Sequence, residues 1–188
     1  MDARLVALAK DGDRVAFAEL VDLYSGKLYN LAFRMLGNRQ EAEDVVQDTF
    51  MRVYKNLDRY DSQHKFSTWI YRIATNQCID RLRRRKAVYS LDAGVTDGDG
   101  MDGYSMLPST RPTPEQQLLL SERQRTIATA MESLPPKYKS AMTLKYVQDL
   151  SLQEISDILH IPVSTVKTRI HRGRDYLRKK LIREKDLL

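Results

Sequence analysis

The chain has 188 residues, a formal net charge of +6 and 42 % hydrophobic residues. That length suits one medium domain or two small ones, and the hydrophobic share argues against wholesale disorder. The single cysteine, Cys78, excludes an internal disulfide. No apolar run approaches the ~18 residues of a membrane span, and Met1–Lys10 lacks the apolar core of a secretion signal, so a cytoplasmic protein is expected.

Charge is unevenly spread. Residues 1–86 carry a net +4, residues 87–113 a net −3 and residues 114–188 a net +5. Two basic blocks around an acidic middle suit a polyanionic partner.

In the first block, Phe17, Leu20, Val21, Tyr24 and Leu28 recur at helical spacing within Val15–Leu36, and Gly37 is placed to end that helix. Val46, Phe50, Val53 and Leu57 then share one face of a second helix, predicted from Asn38 to Leu57. Asn38 suits its cap, and Glu41, Glu43 and Asp44 sit near its positive end. Asp58–Lys65 reads as a polar loop. FSTWIYRIATNQCIDRLRRRK (66–86) predicts a third long helix, with Phe66, Trp69 and Tyr71 at one end and Arg81, Arg83, Arg84, Arg85 and Lys86 at the other. Aromatic rings can stack on unpaired bases while cations hold the backbone. Trp69 shares a face with Ile73, and core packing is the better reading for it. The RLRRRK run is harder to dismiss, because so many adjacent cations repel one another unless an anion is supplied.

The middle block, Ala87–Thr113, is rich in Gly, Asp, Ser and Pro and has the composition of a linker. Asp97, Asp99 and Asp102 suggest a calcium loop, but Met101 and Pro108 stand where oxygen ligands are needed. An acidic tether is the better reading, and no metal is expected.

The second block opens with Thr113 as a cap, Pro114 as first helical residue and Gln116 completing a capping box. That helix runs to about Ser133, Pro135–Pro136 breaks it, and another helix fits Lys137–Val147. LSLQEISDILHIPVSTVKTRIHRGRDYLRKKLI (150–182) then has the form of a helix-turn-helix. Ser151 and Glu154 form a capping box, and Leu152, Ile155, Ile158 and Leu159 make an apolar stripe. His160–Pro162 break it, and Ser164 is expected to cap the next helix. On that helix Val166, Ile170, Gly173 and Leu177 point one way. Ser164, Thr168, His171 and Asp175 point the other, flanked by Lys167 and Arg172. Short hydrogen-bonding groups beside long cations are the residues that read base edges and grip phosphates.

There is no phosphate-binding glycine loop, no zinc spacing among His64, His160, His171 and Cys78, and no nucleophile elbow. No catalysis and no cofactor are expected.

EAEDVVQDTFMRVY (41–54), FSTWIYRIATNQCIDRLRRRK (66–86), ESLPPKYKSAMTLKY (132–146) and LSLQEISDILHIPVSTVKTRIHRGRDYLR (150–178) together resemble the extracytoplasmic-function (ECF) class of bacterial sigma factors, most of all its sigma-W members. The resemblance spans nearly the whole chain. It implies an all-α fold of two small helical domains, a sigma2-like bundle over 1–86 and a sigma4-like helix-turn-helix bundle over 114–188, joined by the flexible acidic linker 87–113. Gln47, Asp48 and Met51 would dock on core RNA polymerase. Arg59, Tyr60, Asp61, Ser62 and Lys65 fall in the segment similar to the loop that captures a flipped base of the −10 element. Asn76, Asp80 and Arg83 would grip that element from the helix. Gln153, Ser164, Lys167, Thr168, His171 and Arg172 would read the −35 element. The implied partners are core RNA polymerase, promoter DNA and a membrane-bound anti-sigma factor. The free chain would be a monomer serving an envelope-stress regulon, and the phosphodiester chemistry would belong to the polymerase. The rival reading is a helix-turn-helix repressor or activator acting without polymerase docking, which leaves residues 41–86 unexplained. A recombinase would need a catalytic Ser or Tyr among convergent arginines, and Arg83–Arg85 are merely sequential.

Overall fold

The computed structural model describes the backbone of residues 2–93, 127 and 129–185, and the side chains of residues 2–85, 127 and 129–182. Among the described residues the regular elements are all helical: α1 (Asp2–Lys10), α2 (Arg14–Leu36), α3 (Arg39–Asn56), a short 3-10 turn (Leu57–Arg59), α4 (Phe66–Ala93), α5 (Pro136–Tyr146), α6 (Leu152–Leu159) and α7 (Val163–Lys185). The middle segment with Asp97, Asp99 and Asp102, and most of the helix expected from Pro114, lie outside the described residues.

Local chemistry sets most of the boundaries. The Asp13 carboxylate accepts from the N–H groups of Val15 and Ala16, 2.8 and 3.1 Å away, and so caps α2. Gly37, at φ +68°, ends that helix and donates its N–H to Phe33 O at 2.8 Å, a left-handed turn that a side chain would strain. Asn38 accepts from Glu41 N at 3.0 Å and starts α3. α4 runs past Lys86, where the helix was expected to stop, because AVYSLDA contains no breaker before Gly94. α5 starts at Pro136, one residue before the expected Lys137, since proline fits the first turn of a helix. α7 starts at Val163, so Ser164 lies inside its first turn rather than capping it. α1 has no clear helical signal of its own in the sequence. Tertiary contacts hold this short mixed stretch: Val6 is buried, Tyr24 hydroxyl donates to Asp2, and Lys10 Nζ donates to Tyr60 O at 2.7 Å.

α2 is the spine of the first domain, packed against α1, α3 and α4 around Leu20, Leu28, Leu31, Met35, Val45, Val53 and Ile70. α5, α6 and α7 enclose Leu144, Ile155, Ile158 and Val166 in the second domain. Each such aliphatic side chain taken out of water favours the fold by about 1.5–3 kcal/mol. The two cores are continuous, because α5 packs on α2 and α4, and α6 packs on α4. Lys139–Leu144 of α5 are therefore all buried, on every side of the helix.

Candidate nucleic-acid and polymerase interface

The helix-turn-helix is built as its sequence suggests. Ser151 N donates to the Glu154 carboxylate at 3.0 Å, and Glu154 N donates to Ser151 Oγ at 3.2 Å, closing the capping box. The same carboxylate accepts from Lys65 Nζ at 2.8 Å, and these bonds hold Glu154 down to about pKa 2, the lysine contributing most. His160 closes α6 in a left-handed conformation at φ 52°, and Ser156 Oγ donates to Ile161 O at 2.6 Å to fix the turn. On α7, Val166, Ile170 and Gly173 face inward. A Cβ on Gly173 would fall 2.8 Å from Met142 Cγ, so the missing side chain is what lets α7 lie close on α5.

The opposite face stays open. Gln153, Ser164, Lys167, Thr168, His171 and Arg172 are all exposed. Thr168 Oγ1 donates to Ser164 O at 3.0 Å, Gln153 Nε2 donates to Asp157 at 3.0 Å, and His171 Nδ1 lies 3.1 Å from Asp175. Lys167 and Arg172 have no ion-pair partner among the described residues. All six candidates thus lie on the open side of the helix-turn-helix, with two cations uncommitted.

α4 is more divided. Asn76, Asp80 and Arg83 recur at helical spacing and form an exposed stripe. Of the loop candidates, Arg59, Asp61, Ser62 and Lys65 are exposed, and the Asp61 carboxylate accepts from Gln63 N at 2.9 Å. Tyr60 is different. It is only 9 % exposed, its hydroxyl donates to His64 O, and its ring centre lies 5.6 Å from Phe66 and 5.1 Å from Trp69. Tyr60 is thus the pillar that shapes the loop, its ring packed between Phe66 and Trp69.

The RLRRRK run also splits. Arg81 pairs with Asp48 at 3.0 Å and Asp44 at 3.7 Å, and Arg85 pairs with Glu41 while donating to Leu36 O at 3.1 Å. Part of the anion that this run needs therefore comes from α3. The signal was readable, since Glu41, Asp44 and Asp48 recur at helical spacing opposite arginines four apart. Arg83 and Arg84 remain exposed.

The third surface is an open apolar groove of about 820 Å³ between α2 and α3, lined by Phe17, Val21, Val46, Phe50, Met51 and Tyr54 among others. Met51 is 50 % exposed and Tyr54 63 %, large apolar surface for a folded chain to leave in water. Gln47 lines the groove with Met51. Asp48 is turned aside, exposed but committed to Arg81.

Among the described residues no cluster of His, Cys, Asp or Glu could hold a metal, and no helix is long and apolar enough to cross a membrane.

Comparison with known proteins agrees with this geometry. Residues 20–88 match Sigma-70 region 2, and residues 124–177 match Sigma-70, region 4. The ECF RNA polymerase sigma factor SigW of Bacillus subtilis (strain 168) is 49 % identical, covering 96 % of this chain and 97 % of its own. The ECF RNA polymerase sigma-E factor of Haemophilus influenzae is 33 % identical over 96 % of this chain and 95 % of its own. Among solved structures, CnrH in complex with the cytosolic domain of CnrY is similar over 96 % of both chains, with a TM-score of 0.69 and 25 % identity. The chain is thereby a member of the ECF family of RNA polymerase sigma factors.

Proposed function

We propose that this sigma factor docks on core RNA polymerase through the α2–α3 groove, reads the −35 element with the outer face of α7 and engages the −10 element with the exposed stripe of α4 and the loop before it. The observation that carries this division is the pair of open polar faces, one per domain, beside a groove that leaves Met51 and Tyr54 in water. Lys167, Thr168, His171 and Arg172, with Gln153 and Ser164, supply donors and cations for a major groove. Asn76, Asp80 and Arg83, with Arg59, Asp61, Ser62 and Lys65, meet the −10 element. Binding the opened strand more tightly than the duplex would draw the equilibrium toward melting. Gln47 and Met51 belong to the docking surface. Asp48 is set mainly to hold Arg81 in place. Domain boundaries at 1–86 and 114–188 remain part of this reading. CnrH was solved in complex with the cytosolic domain of CnrY, and we extend to this chain the expectation of a protein partner, an anti-sigma factor.

The test is to add the purified protein to sigma-free core polymerase on fragmented genomic DNA and map transcript 5′ ends. Protein-dependent starts sharing two upstream elements support the reading. No such starts, with tight binding of the protein alone to duplex DNA, would favour the repressor reading.

A further inference from the structure

We propose that Asp175 is a positioning residue of the −35-reading face: it fixes the tautomer of His171, so that the neutral middle of that face accepts hydrogen bonds from the exocyclic amino groups of adenine or cytosine. The inference rests on the reading of α7 given above.

Asp175 is out of place by charge. It is the only acidic residue from Val163 to Arg183, a stretch with eight lysines and arginines. A carboxylate on a helix that approaches phosphates repels them and weakens binding on every sequence alike. Grip alone gives no reason for it.

The geometry gives one. Asp175 Oδ2 lies 3.1 Å from His171 Nδ1, one helical turn back. Asp175 Oδ1 lies 3.6 Å from Arg178 Nη2, in the next turn. Each oxygen thus faces a different partner, and the guanidinium steadies the carboxylate from the side away from the imidazole. A carboxylate accepts but cannot donate, so a neutral imidazole bonded to it keeps its proton on Nδ1. Nε2 is then a bare lone pair. It has no partner among the described residues, and the His171 side chain is 67 % exposed. The nearest cation of another helix does not compete for the carboxylate: Lys145 of α5, which lines the same cleft as His171, donates to Leu150 O at 3.2 Å.

Thr168 repeats this polarity three residues earlier on the same face. Its hydroxyl gives its proton to Ser164 O at 3.0 Å, and the Oγ1 lone pairs remain. Thr168 and His171 therefore present acceptors, while Lys167 and Arg172 beside them present donors. In a major groove the donors are the amino groups at adenine N6 and cytosine N4, whereas guanine and thymine show acceptors there. The middle of the face suits the first two bases, and the flanking cations suit acceptors and phosphates.

The test measures transcription by core polymerase with the full-length chain. The promoters carry, at one −35 position at a time, either the natural base or its analogue without the exocyclic amino group. With the unaltered chain at least one such deletion should lower transcription roughly tenfold. Asp175→Ala should lose most of that discrimination while its total affinity for duplex holds or rises, because a negative charge leaves the face. Asp175→Glu should retain the discrimination. A residue that merely supports the helix would not behave so, since damage to α7 lowers affinity and discrimination together. In the free chain, at a pH where imidazoles are neutral, NMR of the ring nitrogens should show His171 as the Nδ1–H tautomer, assigned by the signal missing from His171→Gln. Asp175→Ala should shift it toward the Nε2–H form. Unchanged discrimination in Asp175→Ala, or an Nε2–H tautomer in the unaltered chain, would overturn the proposal. If no base change in the −35 element affects the unaltered chain, the −35 reading fails instead, and the tautomer still reports whether Asp175 holds His171.

Discussion

α4 and α7 are both long helices that carry an exposed polar stripe, yet they are held in different ways. α7 has one packed side, Val166, Ile170 and Gly173 with Tyr176 and Leu177 beside them, and its face of Ser164, Lys167, Thr168, His171 and Arg172 is open. α4 is packed on two sides. Gln77 donates to Thr49 of α3 at 2.9 Å on one side, while Tyr71 reaches Gln148 of the second domain on the other. The stripe of Asn76, Asp80 and Arg83 is what is left between them. A helix fastened on one side keeps its reading face whatever the other domain does. A helix fastened on two sides owes the face it leaves open to both of its neighbours.

The comparison can be broken or sharpened by substitution. The largest effect is expected at Ile155, fully buried beneath α7. Ile155→Ala should destabilise the helix-turn-helix by about 2–5 kcal/mol, seen as a lower Tm and lost DNA binding. Arg172→Ala should weaken use of the −35 element by about 1–3 kcal/mol and relax base preference there, measured on a panel of altered promoters. If affinity falls equally on every sequence, Arg172 grips phosphate instead.

A pH series addresses the shared interface. Burial pushes Lys139 down to about 8, with Glu132 opposing the shift. Between that value and the ordinary lysine range the unfolded chain binds the extra proton, so this group makes stability rise with pH through that window. Above about pH 9 Cys78, whose thiol is pushed up to about 12 by burial, contributes in the opposite sense. Lys139→Met should therefore flatten the rise between pH 8 and 9 in denaturant titrations. An unchanged slope would mean that Lys139 reaches water. The smallest effect belongs to Arg39, whose exposed pair with Glu43 at 2.9 Å is screened by water, so Arg39→Ala should leave Tm almost unmoved.

The same contrast explains what could be read in advance. α7 shows its apolar stripe in sequence because it is packed on one side, and its inward and outward faces fall where the wheel places them. α6 is marked by the Ser151–Glu154 capping box. α5 hides its period, since a helix buried all round has no polar side to mark the other. The packing of Tyr60 could not be read from the loop Arg59–Lys65, since only the folded chain turns its hydroxyl to His64 O. The need of the RLRRRK run for an anion was legible, and Asp48 and Glu41 of α3, more than thirty positions upstream, supply part of it to Arg81 and Arg85. The contact between Lys65 and Glu154 had no sequence signal, because nothing local ties residues so far apart in the chain.

The most direct test of the two-face account is a cross of variants against promoter elements, measured as core-polymerase transcription from one promoter. Arg172→Ala should blunt the response to base changes in the −35 element and leave the −10 response intact, and Arg83→Ala should do the reverse. If both variants respond alike to changes in either element, α7 and α4 do not divide the promoter between them and the account is wrong.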